Sequence, residues 1–313
     1  MVTHGKRGGD GVRAVRDNRV GIRVPGVAHA TETGGMSVGA TGRLTIGKAA
    51  TYVALALGSI VALGPLVWML SASVMTTGEA SSYPPRFFPH HVTFEHYRVL
   101  FTRLNVGHAL FNSILIATAV TVLSLFINAA AGYPFAKLHF LGRERTFRML
   151  TLGLLIPTQV AMFPLFLLLK ELHFVNTYWG VIIPGLASIF GIFLVRQYAL
   201  SIPDDLLDAA RMDGASELRV FLSVVLPVIR PILATLSIWT FLATWNDFLW
   251  PLVILSDDRK YTLPVALASL VGEHVQDTEL MMAGSVVTVV PVLIVFLVLQ
   301  RYYISGVTAG SVK

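Results

Sequence analysis

Six long apolar segments recur along the chain, separated by more polar connections. Each approaches the roughly 20 residues that a helix needs to cross the hydrocarbon core of a bilayer. We therefore expect an all-α membrane protein with six transmembrane helices. The predicted spans lie at approximately 51–74, 109–134, 149–169, 178–199, 232–254 and 281–303.

The prolines inside predicted spans include Pro157 and Pro164 in the third and Pro184 in the fourth. A proline inside a helix frees a carbonyl, which a neighbouring helix or water in a pathway must then satisfy. Kinks that serve only packing are the alternative, and the sequence leaves both interpretations open for each proline.

One connection, between the fourth and fifth predicted spans, is especially polar. The segment 201–231 holds five acidic and two basic side chains between Asp204 and Arg219. A segment this polar cannot lie in hydrocarbon, so it faces water or a protein partner. An amphipathic hairpin resting on lipid headgroups is the alternative, although an acidic excess suits an anionic leaflet poorly.

Local sequence predicts two short helices in this connection. Ser201 is expected to cap the first helix, Gly214 to break the run, and Ser216 to cap the second helix. Pro227 and Pro231 should close the second helix before the next span. The predicted apolar faces hold Leu206, Leu207 and Ala210 in the first helix, and Val220, Phe221, Val224 and Val225 in the second.

Composition agrees with a membrane protein. Hydrophobic residues make up 54% of the 313 residues and charged residues 13%, whereas ordinary soluble domains contain about 25% charged residues. The chain has no cysteine, which excludes disulfides, thiolate metal sites and cysteine nucleophiles. The first apolar run is too long for a signal peptide, so we expect an uncleaved anchor.

The distribution of positive charge predicts the orientation. Of the 24 Lys and Arg residues, 18 fall in the two termini and the second and fourth connections, and six fall in the alternate connections. Because Lys and Arg accumulate on the cytoplasmic side, both termini and the 201–231 connection are predicted to be cytoplasmic. The net charge of +6 largely reflects this bias, so we expect no nucleic-acid partner.

Residues 1–47 contain no apolar run long enough to pack, which predicts a disordered cytoplasmic tail. The segment 42–48 matches the first part of a phosphate-binding loop, but Ala49 stands where Ser or Thr should hold magnesium. No strand precedes it and a predicted span follows directly. We interpret this match as chance.

The spacing of the polar connection resembles the coupling loop of ABC importer permeases. The motif of that family is Glu-Ala-Ala, three residues, Gly, nine residues, then Ile-x-Leu-Pro. Here Asp208-Ala-Ala, Gly214 and Val-Val-Leu-Pro at 224–227 keep every spacing, with Asp replacing Glu and Val replacing Ile. The resemblance implies that the ATPase-coupling residues are Asp208, Ala209, Ala210, Asp213, Gly214, Ala215, Leu226 and Pro227.

The resemblance extends over most of residues 50–313 and is greatest to the smaller membrane subunit of maltose-type sugar importers. The supporting motifs are Trp-Asn-Asp-Phe-Leu-Trp-Pro at 245–251, Asn-Thr-Tyr at 176–178 and the segment 300–313. It divides the chain into the tail, 1–47, and an importer transmembrane domain, 48–313. The coupling helices, 202–227, and the tail at 308–313 are expected to reach the ATPase.

The resemblance implies a transport subunit without catalytic residues of its own, in the plasma membrane of a bacterium. Its implied partners are a second homologous permease, two ATPase subunits that carry ATP and magnesium, an extracellular solute-binding protein, lipid and a carbohydrate substrate. The chain itself is expected to bind no cofactor or metal. The alternatives are an importer of a non-sugar solute and an ATP-independent secondary transporter, which should show internal repeats and charged relays within the membrane.

Four residues inside the predicted spans are candidates for the translocation pathway. Asn246 and Asp247 follow Trp245 near the outer end of the fifth span, where an intramembrane carboxylate is costly and often functional. An interfacial position beside aromatic residues is the alternative. Gln159 lies between two prolines, where it could contact solute hydroxyls or bond to a neighbouring helix, which is the expected role.

Polar residues also mark two external connections. His90, His91 and His96 lie in the first, and we interpret them as solvated residues because only Glu95 accompanies them at ligand spacing. The connection 256–279 is polar and acidic. The family resemblance implies that it faces the binding protein, and a merely solvated loop is the alternative.

Overall fold

The computed structural model describes residues 46–84, 86–273 and 277–309. Its contacts divide the chain into two units, Met1–Ala54 and Leu55–Lys313. The predicted disordered tail, most of the phosphate-loop fragment and most of the 308–313 tail lie outside the described residues. Within the described ranges there are helices and no strands, which confirms the all-α prediction.

Fourteen α-helices make up the described residues. The first seven are α1 (Ile46–Ala72), α2 (Glu95–Thr102), α3 (Val106–Lys137), α4 (Arg143–Leu152), α5 (Thr158–Glu171), α6 (Tyr178–Gly185) and α7 (Ile189–Ala199). The others are α8 (Asp204–Met212), α9 (Glu217–Val220), α10 (Leu226–Val228), α11 (Arg230–Trp245), α12 (Leu249–Ile254), α13 (Leu263–Glu273) and α14 (Thr278–Ala309).

Four segments are long and apolar enough to cross a membrane, and two bent pairs raise the number to six within the described residues. The four are Gly47–Ala72, Val106–Lys137, Tyr178–Ala199 and Thr278–Val298. The bent pairs join Arg143–Leu155 to Thr158–Glu171 at 104° and Glu217–Val228 to Arg230–Trp245 at 77°.

The third and fifth spans are less regular than the hydropathy pattern indicated. Pro157 takes an extended ψ of 132° between the two arms of the third span, so the helix stops and restarts in a new direction. In the fifth, the predicted helix 232–254 is interrupted at 246–248, where α11 ends and α12 has not begun. Pro164 lies inside α5 and Pro184 inside α6, near its end.

Helix α3 lies at the centre of the fold and packs against α7 and α11. Small residues bring it close to α6 and α7. A Cβ on Gly132 would lie 2.7 Å from the Val195 side chain, and one on Gly185 would lie 2.9 Å from Val120. Close packing through glycine is the usual way in which helices associate where no hydrophobic effect drives them together.

The break between α6 and α7 is satisfied by side chains. Ser188 caps α7 by accepting a hydrogen bond from the Gly191 backbone N–H, and Asn128 on α3 accepts one from the Ser188 N–H at 3.0 Å. Asn128 is fully buried. A buried amide that satisfies a freed backbone group therefore holds the fourth span to α3.

Candidate functional site

The polar connection between the fourth and fifth spans folds as a helical hairpin, which we call the coupling hairpin, residues 204–228. Gly214 has φ +82°, a left-handed conformation that glycine adopts without penalty. Ser216 caps α9 by accepting a hydrogen bond from the Arg219 N–H at 3.4 Å. The predicted glycine turn and the predicted cap of the second helix are both confirmed.

The predicted cap of the first helix is wrong. Helix α8 begins at Asp204 with Pro203 in the cap position, and the Ser201 hydroxyl instead donates to the Tyr198 carbonyl at 2.7 Å. Ser201 precedes the helix by too many residues to reach its first free N–H groups. Asp204 and Asp205 occupy the first turn, where negative charge complements the helix dipole.

One face of the hairpin packs on the body of the chain. Leu207, Val220, Phe221 and Val225 are buried, and they contact a cluster that includes Val195. Ala210, Ala215 and Val224 pack partly buried against the same cluster. Leu206 departs from the predicted face, because it is exposed together with Ala209.

The opposite face of the hairpin carries four of the motif residues and several exposed apolar side chains. Asp208, Ala209, Asp213 and Gly214 are exposed. The apolar members of this face are Leu206, Met212, which is 88% exposed, and Leu218. Exposed apolar residues that alternate with acidic ones are typical of a surface that a protein partner covers.

The end of the hairpin contains a π-helical turn, Phe221–Val225, followed by α10. Pro227 has no N–H to donate to the carbonyl four residues earlier, and the Leu226 N–H bonds instead to Phe221, five residues back. Leu226 and Pro227 are half-buried there, and the chain then bends by 77° into α11.

A lysine fastens the hairpin to α3. Lys137, whose side chain is 7% exposed, donates to the Ile202 carbonyl at 2.6 Å and to the Asp204 carboxylate at 2.7 Å. The hydrogen bond from Lys137 holds the pKa of the Asp204 carboxyl below its usual range. The charge pattern indicated Lys137 only as one of the basic residues that predict the orientation. Its partners lie more than 60 residues away in the sequence, so local sequence could not indicate them.

Trp245 stays a predicted pathway residue, and its side chain is buried in this conformation. Its side chain is 1% exposed, packs in a cluster with Leu100 and Leu263, and donates to the Thr288 carbonyl at 3.3 Å. The indole combines an apolar ring with one N–H donor, and a backbone carbonyl inside the protein satisfies that donor. It therefore acts as a core residue in this conformation.

Asn246 and Asp247 lie in the interruption between α11 and α12. Asn246 is exposed and donates to the Leu242 carbonyl of its own helix at 2.8 Å. Asp247 is half-buried and accepts a hydrogen bond from the Trp250 N–H at 3.4 Å, which helps to cap α12. Both groups stand at a broken helix, a common setting for solute sites in transporters.

Gln159 lies on α5, immediately after the 104° bend, and its side chain is exposed. Its Oε1 accepts a hydrogen bond from the neighbouring Thr158 hydroxyl at 3.4 Å. In the described part of the chain no hydrogen bond joins Gln159 to Asn246 or Asp247. The pathway candidates Gln159, Asn246 and Asp247 therefore lie at two different helix breaks, and no hydrogen bond connects the two in the described residues.

At the other end of α3, Asn112 and Ser113 organise the connections that the charge pattern predicts to be external. Asn112 donates to the carbonyls of Arg259 and Tyr261 at 2.9 and 3.0 Å, and accepts from the Tyr178 hydroxyl at 2.9 Å. The Leu263 N–H donates to Ser113 at 2.7 Å. These contacts hold the last external connection, and no local sequence pattern pointed to them.

Asn176 provides a second anchor for the same connection. With φ +58° it adopts a left-handed conformation that asparagine tolerates. Its Oδ1 accepts from the N–H groups of Ser256 and Asp257 at 3.2 and 3.1 Å. The Asn-Thr-Tyr motif at 176–178 is the sequence feature that could have indicated this role.

The histidines of the first external connection do not share one environment. His96 is buried and its Nε2 lies 3.0 Å from the Met75 carbonyl, so the expectation that it is solvated is wrong. The ring fills space between α2 and the end of the first span. Among the described residues no three His, Asp or Glu side chains are placed to hold a metal ion.

Three comparisons with known proteins bear on this arrangement. The family model described as "binding-protein-dependent transport system inner membrane component" matches residues 128–308. The arabinooligosaccharides transport system permease protein AraQ of Halalkalibacterium halodurans is 38% identical over 258 residues, covering 82% of this chain and 92% of that protein.

The diacetylchitobiose uptake system permease protein NgcG of Streptomyces coelicolor is 34% identical over 269 residues, covering 85% of this chain and 89% of that protein. Among solved structures, a bacterial ABC transporter that imports the acidic polysaccharide alginate superposes with a TM-score of 0.72 at 27% identity. The superposition covers 82% of this chain and 96% of that chain.

Proposed function

Because this chain belongs to the family of binding-protein-dependent transport system inner membrane components, we propose that it lines the pathway for an oligosaccharide and that a partner ATPase acts on its coupling hairpin. It is a multi-pass plasma membrane protein and a permease subunit of an ABC importer, in which ATP hydrolysis belongs to separate subunits. Its importer also contains a second permease and a solute-binding protein.

The observation that carries the coupling proposal is the division of the hairpin into two faces. The inner face packs Leu207, Val220 and Val225 into the chain's own core. The outer face presents Asp208 and Ala209 beside exposed Leu206 and Met212. Since the acidic residues suit an anionic leaflet poorly, a protein partner is the better occupant of this face.

Orientation is part of the same proposal. The excess of Lys and Arg in the termini and in the connections 137–148 and 196–230 supports a cytoplasmic location for both termini and for the hairpin. The ATPase subunits, which bind ATP and magnesium, would then dock from the cytoplasm, and the anchored connection at 255–263 would face the solute-binding protein.

In the proposed cycle, ATP closes the partner subunits and moves the hairpin with them. The hairpin is fastened to α3 through Lys137 and runs through the bend at Ile229 into α11. Displacement of the hairpin therefore changes the position of two spanning segments. The spans switch from inward-open to outward-open, and solute released by the binding protein enters the pathway.

The proposed substrate class is oligosaccharide. Support comes from relatives whose names specify arabinooligosaccharides and diacetylchitobiose and from an alginate importer of the same fold. In this chain Gln159, Asn246 and Asp247 offer amide and carboxylate groups at helix breaks, and such groups can hydrogen-bond sugar hydroxyls. Titration of the cognate binding protein with arabino- and chitooligosaccharides tests this class, and tight binding of a non-sugar solute alone would contradict it.

Coexpression tests the core of the proposal. With its cognate partner subunits, the chain should copurify with an ATPase and catalyse ATP-dependent uptake in vesicles. A variant of the partner ATPase that cannot bind ATP, or omission of ATP, should stop uptake. Uptake that continues without any ATPase would show that the chain is a secondary transporter.

A further inference from the structure

The first carboxylate of the motif in the coupling hairpin is held by a neighbouring arginine. Asp208 is exposed, and its Oδ1 accepts a hydrogen bond from Arg211 Nη1 at 2.7 Å. Among the described residues its Oδ2 accepts no hydrogen bond. The carboxylate is therefore fixed through one oxygen and offers the other to a donor outside the chain.

Arg211 also spans the glycine turn. Its Nε donates to Glu217 Oε1 at 2.7 Å, and its Nη2 lies 3.4 Å from Glu217 Oε2. Glu217 belongs to the first turn of α9, on the other side of Gly214. The planar, multi-donor guanidinium can bind two carboxylates in fixed directions, which a lysine ammonium cannot do.

The chain of contacts ends on a spanning helix. Glu217 Oε2 accepts a hydrogen bond from the Tyr133 hydroxyl of α3 at 3.0 Å. Tyr133 is buried, and its ring stacks on Phe221 at a centroid distance of 5.7 Å. Arg211, Glu217 and Tyr133 thus link the position of Asp208 to α3.

We propose that Arg211 is a positioning residue that fixes the Asp208 carboxylate for the ATPase, with Glu217 and Tyr133 as its support. This inference rests on the proposed coupling role of the hairpin. It also accounts for Asp in place of the family's Glu, since the shorter side chain at 208 remains within reach of Arg211 at i,i+3 spacing. Without the arginine, the carboxylate samples several rotamers and coupling loses efficiency.

The test measures solute imported per ATP hydrolysed, using the complete importer in proteoliposomes. Arg211→Gln should lower this ratio about tenfold, the scale of losing charge-assisted hydrogen bonds. Arg211→Lys should restore only part of the loss, because an ammonium lacks the planar, multi-donor geometry of the guanidinium. Arg219→Gln is the matched control, since it removes the same charge from the same hairpin but breaks no ion pair in the described residues, and it should stay within about twofold.

The support residues are tested by a double variant. Tyr133→Phe should lower the ratio about threefold, and adding it to Arg211→Gln should cause no further loss, because residues in one network are not additive. Multiplied losses in the double variant would contradict a single network. Recovery of assembled complex by size-exclusion chromatography identifies any variant that simply misfolds.

The outcomes separate this inference from the proposed function. If Asp208→Ala uncouples transport while Arg211→Gln behaves like Arg219→Gln, the coupling role stands and the positioning role is overturned. If Asp208→Ala is also neutral, the coupling proposal itself fails. A full rescue by Arg211→Lys would overturn the role of the guanidinium geometry.

Discussion

The two ends of α3 are fastened to the rest of the chain by different chemistry. At the end predicted to be cytoplasmic, which we call the cytoplasmic end, Lys137 forms an ion pair with Asp204, and Tyr133 bonds to a carboxylate that is itself paired. At the opposite end, which we call the outer end, Asn112 and Ser113 bond to neutral backbone groups of the connection before α13. One helix therefore carries charged links to exposed carboxylates at one end and neutral links from buried side chains at the other.

This difference in chemistry indicates that the two sets of links have different roles, in stability at one end and in positioning at the other. A buried backbone group that loses its partner costs about 1–3 kcal/mol, whereas an exposed ion pair contributes about 0–1 kcal/mol. The outer links should therefore stabilise the fold, and the cytoplasmic links should mainly set the direction of a docking surface. Substitutions at the two ends should affect different measurements.

The largest effect is expected at the turn of the hairpin. Gly214→Val should abolish uptake, because a β-branched residue is strongly disfavoured at φ +82° and the two short helices would separate. Gly214→Asn is the control, since asparagine tolerates this conformation and a Cβ at 214 meets no atom of the chain within 4 Å.

Both variants are assayed for membrane insertion and ATP-driven uptake. Uptake at the normal rate in Gly214→Val would contradict the importance of the hairpin geometry. Loss of uptake in both variants with normal insertion would show that the partner packs directly against the turn.

The next effect is a loss of stability at the outer end. Asn112→Ala leaves the partly buried carbonyls of Arg259 and Tyr261 and the Tyr178 hydroxyl without their partner, which should destabilise the protein by about 1–3 kcal/mol. The melting temperature in detergent measures this change. Asn246→Ala is the control because that side chain is exposed and bonds only within its helix, and an equal shift in both variants would contradict the account.

A smaller effect is expected from Lys137→Gln at the cytoplasmic end. Loss of the bonds to Ile202 and Asp204 should increase local opening of the start of α8 about five- to tenfold, with a smaller change in melting temperature than Asn112→Ala causes. Amide hydrogen exchange over 200–206 measures the opening. Lys170→Gln removes a charge from the end of α5 as the control, and a melting shift as large as that of Asn112→Ala would remove the distinction between the two ends.

The smallest effect is a pH dependence confined to the cytoplasmic end. Because the pKa of Asp204 is lower in the folded chain than in the unfolded chain, its bond to Lys137 stabilises the fold above the unfolded value of about 4. The contribution disappears as the pH falls through the lowered pKa. Exchange over 204–208, corrected for intrinsic rates, should increase at acidic pH while exchange over 259–263 stays protected.

Asp204→Asn is the control for this titration. The variant should show the weaker protection already at neutral pH and little further change on acidification. If the wild type and Asp204→Asn respond alike to acid, another group controls the opening.

Hydropathy, capping and turn chemistry predicted much of this fold. Apolar runs located the candidate spans, and Gly214 with Ser216 specified the hairpin, because these features depend on residues close together in the chain. The size of the bend at Pro157 and the interruption at 246–248 were not predicted. Hydropathy averages over such breaks, and only the packing around them decides whether a helix continues.

The links of α3 could not be predicted from local sequence. Asn112 bonds to residues about 150 positions away, and Tyr133 bonds to Glu217, 84 positions away. The burial of Trp245 could not be predicted for the same reason, since it depends on the distant Leu100 and Leu263. The partners of such side chains can be recognised only in the packed fold, where residues distant in sequence become neighbours.

The most direct test of the central claim uses the absence of cysteine from the sequence. Ala209→Cys and Met212→Cys each introduce a single thiol on the outer face of the hairpin, and Ser81→Cys places one at the outer end as a control. In membranes the two hairpin thiols should react with a maleimide when the ATPase is absent and be protected when it is bound, with no change at position 81. Equal labelling of the hairpin thiols with and without the ATPase would contradict docking on this face.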